Sequence, residues 1–244
     1  MTHLPDGRSD VTDLRERLAA AKCVLFDFDG PVCRLFAGVG APAVAAAIAE
    51  RLSGRLEHGA LRPKGKAAGD PLALLLAAWK QGESKAVVKE AESTLTAQEI
   101  RAATSAHSTA YANSLILALS AAGFRLAVTT NNSPKAVAAY LRREGLDGCF
   151  GEHIHGRTAD LALLKPHPHC LERALDSTGS SPAETLMIGD SPADWIAADA
   201  IGVSFLGYAP DGAKVAQLAD AGVKDIVRSL EPLYDAVGSG LRAE

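Results

Sequence analysis

A chain of 244 residues in which nearly half are hydrophobic can bury a sizeable core, either as one large domain or as a core with an insert. Its formal charge of −4 contains no block of like charges, so it has no electrostatic footprint for nucleic acid or for an anionic membrane surface. Cys23, Cys33, Cys149 and Cys170 have neither Cys-x-x-Cys nor framework spacing, which predicts reduced and mostly buried thiols.

Residues 1–10 are polar and lack the apolar centre of a signal peptide. The longest uncharged stretch, Ala102 to Phe124, is rich in Ser, Thr and Asn, which argues against a membrane span and predicts a cytoplasmic protein. Thr12 is placed to cap a helix through Ala21, with Asp13 in its first turn. Next comes Cys23-Val24-Leu25-Phe26, an apolar run without polar alternation, the pattern of a strand buried on both faces of a parallel sheet. It ends in Asp27 and Asp29, after which Gly30-Pro31 turns the chain away. Two acids two residues apart leave the same face of an extended chain. Held that close, they need a cation or a shared proton.

From Arg34 to about Asn113 the signals are helical and no strand is predicted. Helices are expected over Ala43–Leu52, over Leu72–Lys80 behind Pro71, over Ser84–Ser93, and from a capping box Thr96-Ala97-Gln98-Glu99. About eighty residues is far more than a crossover needs, so 34–113 is expected to form a small helical domain of its own.

From Ser114 helices and strands alternate. A helix to Ala122 precedes a strand over Phe124–Thr129, and Ser133-Pro134 opens a helix that Gly145 closes. A short strand at His153-Ile154, a helix over Pro168–Ser177 and a capping box Ser181–Glu184 follow. The strand Thr185–Ile188 ends at Gly189-Asp190, and Val203–Leu206 and Asp225–Val227 read as later strands. The expected fold is α/β, a doubly wound parallel sheet built from 11–33 and 114–237, with ligands at the carboxyl ends of its strands.

Four segments carry the chemistry: Asp27-Phe28-Asp29, Val128-Thr129-Thr130-Asn131, Leu164-Lys165-Pro166, and Met187 to Asp194 with Asp190 after its strand. Each has a plainer local reading. Asp29-Gly30 and Asn131-Asn132-Ser133-Pro134 are turn sequences, a lone lysine is usually solvated, and Asp194 in a first helical turn is stabilising by itself. In this order and at these separations, the four resemble the motifs of the haloacid dehalogenase-like superfamily of phosphotransferases, from Lys22 to about Leu233.

The resemblance implies a Rossmann-like core carrying a C1-type helical cap. It implies a Mg2+-dependent phosphatase that works on a small phosphorylated metabolite through an aspartyl phosphate. Asp27 would be the nucleophile. Asp29 would be the acid and then the base; the dehalogenase branch has no acid at that position. Asp27, the backbone carbonyl of Asp29, and Asp190 would hold Mg2+. Thr130, the amide of Asn131, and Lys165 would hold the phosphoryl group, with Asp194 orienting the metal's water or Lys165. Arg34, just past the catalytic turn, is a candidate substrate contact, and Pro31 stands where the superfamily often has Thr or Val.

Some features compete with this reading or stand outside it. The loop carrying Arg51, Arg55, His58, Arg62, Lys64 and Lys66 could meet a second anionic group, or simply be solvated. The pairs His153/His155 and His167/His169 alternate as metal ligands do, but such spacing is common in loops. A phosphomutase of the same superfamily, or a non-catalytic sensor of a phosphorylated ligand, would share much of the pattern. The absence of G-x-x-x-x-G-K-[ST] argues against an ATP-dependent kinase.

Overall fold

The computed structural model describes residues 11–59, 61 and 69–240. The tail 1–10, the side chains of Thr12 and Asp13, and the loop cations Arg62, Lys64 and Lys66 lie outside the described residues.

Helix α1 (Val11–Ala19) leads into β1 (Cys23–Phe26), all four of whose residues are buried. The absence of polar alternation has a direct cause. Val24 and Phe26 face one apolar cluster, while Cys23 and Leu25 face another on the opposite side of the sheet. The chain then turns through Gly30, and β2 (Cys33–Arg34) leads into the helical insert.

The insert contains three helices, α2 (Ala41–Leu52), α3 (Pro71–Lys80) and α4 (Lys85–Ala103). Asp70 caps α3, its side chain accepting from Leu72 N, and Ser84 caps α4 by accepting from Val87 N. Val44, Ile48, Leu52, Leu74, Leu75, Val87 and Leu95 form a core of the insert's own, closed by Leu161 and Leu164 from outside it. Two expectations are corrected here. The break before Thr96 does not occur, because α4 is continuous for 19 residues and the Thr96 hydroxyl donates to Glu92 Oε1, one turn back. The insert's ends also carry strand, since β2 pairs antiparallel with β3 (His107–Ser108), which joins the two chain crossings.

Beyond β3 come α5 (Ala112–Ala121), β4 (Arg125–Thr129), α6 (Pro134–Glu144), the short α7 (Asp147–Phe150), β5 (Ile154–His155) and α8 (His169–Thr178). The capping box at Ser181 opens only a one-turn 3-10 helix, Pro182–Glu184. Then β6 (Thr185–Gly189), α9 (Pro192–Asp199), β7 (Ser204–Tyr208), α10 (Gly212–Asp220), β8 (Ile226–Val227) and α11 (Glu231–Gly238) complete the described chain.

Six strands form one parallel sheet in the order β5-β4-β1-β6-β7-β8. Apolar side chains of α1, α5, α6, α7 and α11 cover one face, and those of α8, α9 and α10 the other. Strand β1 lies between β4 and β6, where the winding reverses, and in open α/β sheets that switch point is where a crevice opens. Phe28, between the two acids that follow β1, is fully buried and packs edge-on against Tyr140 with ring centroids 5.4 Å apart. It anchors both flanking carboxylates to the core. Phe28→Ala is expected to cost about 3–5 kcal/mol in urea unfolding; a loss below about 1 kcal/mol would contradict this packing.

Candidate active site

The carboxyl ends of β4, β1 and β6 are neighbours, so segments far apart in sequence meet there. Asp27 continues the ladder, its N–H donating to Ile188 O at 2.9 Å. Asp190 follows β6, and the turn Thr130–Ser133 follows β4. Gly30 is required at this junction. Its φ is +142°, and a Cβ there would lie 2.3 Å from Asp190 Oδ2.

Lys165 is the centre of the site. Its buried ammonium donates to Asp27 Oδ1 at 2.7 Å, Thr129 O at 2.8 Å and Asp194 Oδ1 at 2.5 Å, which places all three of its protons. The second oxygen of Asp194 accepts from Asp190 N at 3.1 Å, Ser191 N at 3.0 Å and Ser191 Oγ at 2.8 Å. Asp194 therefore both caps α9 and holds Lys165. The two readings of Asp194 considered from sequence are not alternatives.

Asn131 pairs reciprocally with the Lys165 backbone, Nδ2 to O at 3.0 Å and N to Oδ1 at 2.8 Å. The Thr130 hydroxyl donates to Asn132 Oδ1 at 3.0 Å and accepts from Asn132 N at 3.1 Å, closing the turn on itself. The Asp29 carboxyl accepts from Leu35 N at 2.8 Å.

A cavity of about 290 Å3 opens over these groups. Asp27, Asp29, Thr130, Asn131, Lys165 and Asp190 line it from the core side; Phe36, Leu72 and Leu95 line it from the insert. Arg34 is not among its walls. It is exposed, lies within 3.5 Å of His107 Nδ1, and lines a neighbouring cavity of about 600 Å3 with Asp29, Asp190 and Lys214. Of the loop cations, Arg51 and Arg55 are paired with Glu90, and His58 lies against Glu83. His153 Nδ1 and His155 Nε2 converge on Ser177 Oγ at 3.0 and 2.7 Å, so that pair is absorbed locally.

Sequence reasoning missed Lys214, Glu99 and Arg157. Lys214 on α10 contacts Asp190 Oδ2, and its ammonium lies 3.1 Å from Asp190 O. No pattern in the sequence marks it. Glu99 and Arg157 form a buried ion pair against the turn after β4. For Glu99 a signal did exist, an acid on the buried stripe of α4.

Burial raises the Asp29 carboxyl to about 6, against the Leu35 N–H bond, which favours its ionised form, while Asp27 adds repulsion. Burial also holds Asp27 above the usual carboxylate range, with Asp194 adding to the shift and Lys165 opposing it. Asp190 is raised by burial against the pull of Lys214. For Lys165, burial works against the charge, yet Asp194 and Asp27 outweigh it and hold the ammonium well above the lysine range. The two partners of the 2.7 Å pair thus shift in ways that do not mirror each other. Lys165 faces two anions, whereas Asp27 has lost water and shares one cation, so the lysine stays charged.

The acids Asp27, Asp29, Asp190 and Asp194 stand against Lys165 and Lys214, which leaves two negative charges if all are ionised. Asp27, Asp190 and Asp194 each bring a carboxylate oxygen within 4.8 Å of the others, so this cluster could hold a metal ion. Both oxygens of Asp194 already accept hydrogen bonds. Asp27 Oδ2 and Asp190 Oδ1 have no hydrogen-bond donor among the described residues. An all-oxygen set with a surplus of two negative charges fits a hard divalent cation.

The comparisons with known proteins agree with this geometry. A family profile described as haloacid dehalogenase-like hydrolase matches residues 21–202. The chain is 33% identical over 222 residues to the phosphoglycolate phosphatase of Rhodospirillum rubrum, covering 86% of this chain and 89% of that one. A solved structure described as a predicted phosphatase from Clostridium acetobutylicum superposes with a TM-score of 0.67 at 19% identity, over 90% of this chain and 99% of that one. One described as a predicted phosphoglycolate phosphatase from Haemophilus somnus gives 0.59 at 20% identity, over 90% and 98%. At such identities the structures speak for the fold alone. The chain belongs to the haloacid dehalogenase-like hydrolase family, in its phosphatase branch.

A carboxyl whose pKa rises on folding contributes stability that is complete below its unfolded value, about 3.9, and lost as pH climbs through its folded one. For Asp29 that folded value is about 6. In chelator, the stability of wild type relative to Asp29→Asn should therefore fall between about pH 4 and pH 7. Urea unfolding at each pH reads this difference, and a constant or rising difference would contradict the burial of the Asp29 carboxyl.

Proposed function

We propose that this protein is a Mg2+-dependent phosphatase that hydrolyses a small phosphate monoester through an aspartyl phosphate on Asp27, with 2-phosphoglycolate as the first substrate to test. The observation that carries the reading is one buried ammonium, Lys165 Nζ, shared between Asp27 and Asp194 beneath a cavity that Asp29, Thr130, Asn131 and Asp190 also line. The cavity's small volume and the name of the Rhodospirillum rubrum relative support a compact substrate.

Phosphate monoesters are among the slowest bonds to hydrolyse, so the site must offset a dianion and present an aligned nucleophile. Asp27 attacks phosphorus through its carboxylate, while Lys165, bonded to Oδ1, faces the incoming phosphoryl group. Thr130, turning its hydroxyl from Asn132, and the Asn131 amide hold phosphoryl oxygens. Asp29 gives its proton to the leaving oxygen, then takes one from the water that opens the aspartyl phosphate. A carboxyl raised to about 6 suits both roles. Asp27, Asp190 and the backbone carbonyl of Asp29 would hold Mg2+, which supplies positive charge for the surplus carboxylates and the phosphate. Residues 34–113 act as a cap on a core of 11–33 and 114–237, closing the cavity with Phe36, Leu72 and Leu95.

With Mg2+, inorganic phosphate should be released from 2-phosphoglycolate, and chelator should stop the release. Phosphate-release assays over a panel of small monoesters check this, and no release from any of them would end the phosphatase reading. Asp190→Ala removes a proposed ligand and also the carboxylate that Lys214 contacts, so the metal-free Tm is read separately for each protein while the Mg2+-induced rise in Tm should shrink in the variant. An undiminished rise would rule out this metal site.

A further inference from the structure

Helix α4 carries a carboxylate where its apolar stripe should run unbroken. Val87, Ala91, Leu95, Glu99 and Ala103 follow one another at four-residue steps, and all are buried. Glu99 is 1% exposed. A charge there is costly unless it is paired and its remaining lone pairs are filled. Its partner is Arg157, on the loop after β5, and the two meet as a fork, Nη1 to Oε1 at 3.0 Å and Nη2 to Oε2 at 2.9 Å.

The rest of their bonding capacity is used as well. Arg157 donates Nε to Glu92 Oε1 at 3.3 Å, a second Nη1 proton to Asn131 O at 2.9 Å and a second Nη2 proton to Thr96 Oγ1 at 3.0 Å. All five guanidinium protons are thereby placed. Glu99 accepts, besides the fork, from Asn132 Nδ2 at 3.0 Å and Ser133 N at 3.0 Å, which fills its four acceptor directions. Three of these bonds go to consecutive residues of one turn, Asn131, Asn132 and Ser133. The Arg157 backbone joins them, its N–H donating to Asn132 O at 2.9 Å. A Cβ on Gly156 would lie 2.5 Å from that same oxygen, so glycine is what lets the two backbones touch.

We infer that Glu99 and Arg157 are positioning residues for phosphoryl transfer: the buried pair sets the shape of the Thr130–Ser133 turn and fastens helix α4 of the insert to it. The inference rests on the reading above that this turn grips the phosphoryl group. A pair kept only for stability has an apolar substitute, since well-packed hydrophobic side chains of similar volume hold two elements together as well or better. Such a substitute cannot fix three polar groups of a turn. Glu99 and Arg157 act through that turn, and their loss misplaces the groups that hold phosphate.

Two variants separate positioning from support. Glu99→Gln keeps the shape and removes the charge; the double variant Glu99→Met, Arg157→Leu replaces the pair by apolar side chains. Well below the unfolding midpoint and with Mg2+, both should lose about 10- to 100-fold in kcat for p-nitrophenyl phosphate, because small displacements of positioning groups cost that much. Orthovanadate inhibition should weaken by a comparable factor, while the double variant's Tm stays near that of wild type. Amide exchange at Asn132 and Ser133 should quicken in both variants and stay unchanged in β1, a readout that needs no turnover. Arg157→Lys, which keeps charge without the fork, serves where Glu99→Gln does not fold and should also fail to restore vanadate affinity. A folded double variant with wild-type kcat, vanadate inhibition and exchange at the turn would overturn the inference. If wild type itself releases no phosphate, it is the functional reading that fails, and exchange at the turn still decides whether the pair shapes it.

Discussion

A single buried ammonium ties three adjacent strand ends together. Lys165 Nζ reaches the acid that follows β1, the last carbonyl of β4 and the capping acid of α9, which follows β6. Removing one partner of such a buried pair typically costs about 3–5 kcal/mol, against total stabilities of about 5–15 kcal/mol for a domain. The groups assigned to chemistry are therefore also structural. Any substitution among them has to be read for folding as well as for turnover.

The same arrangement leaves the site short of positive charge. Two lysines face four carboxylates, and burial pushes Asp27, Asp29 and Asp190 toward their neutral forms. A site built this way favours whatever brings positive charge into it, and a divalent cation matches both the deficit and the oxygen ligands. The insert closes the opposite side with Phe36, Leu72 and Leu95, so the cavity exists only where core and insert meet. Through Glu99 and Arg157 the insert also reaches the turn after β4, which makes one wall of the cavity continuous with the helix that covers it.

Much of this was legible in the sequence because its signals are local or ordered. Cys23–Phe26 read as a strand buried on both faces since it lacks polar alternation, Thr185–Ile188 read as a strand ending at Gly189-Asp190, and the four motifs in order pointed to Asp27, Asp29, Lys165, Asp190 and Asp194, which line one cavity. What escaped depends on partners distant in the chain. Arg157 meets Glu99 across 58 residues, and Lys214 meets Asp190 across 24, with no spacing rule to announce either. Thr96–Glu99 matched a capping box, a local pattern, but the apolar stripe of α4 runs straight through it, and the supposed capping acid is the buried ion-pair partner. The loop cations Arg51 and Arg55, which looked available for a second anion, are taken by Glu90. The strands β2 and β3, two residues each at the ends of a helical stretch, carry no pattern that marks them in the sequence.

The central claim is that Asp27 receives the phosphoryl group and that Asp29 is needed to remove it. In Asp29→Asn, p-nitrophenyl phosphate has a leaving group good enough to depart without an acid, while the water that should open the aspartyl phosphate has lost its base. Rapid acid quench with Mg2+ followed by peptide mass spectrometry should then find a single phosphoryl group on Asp27. A phosphoryl group on another residue, or none while wild type turns the same ester over, would contradict the account.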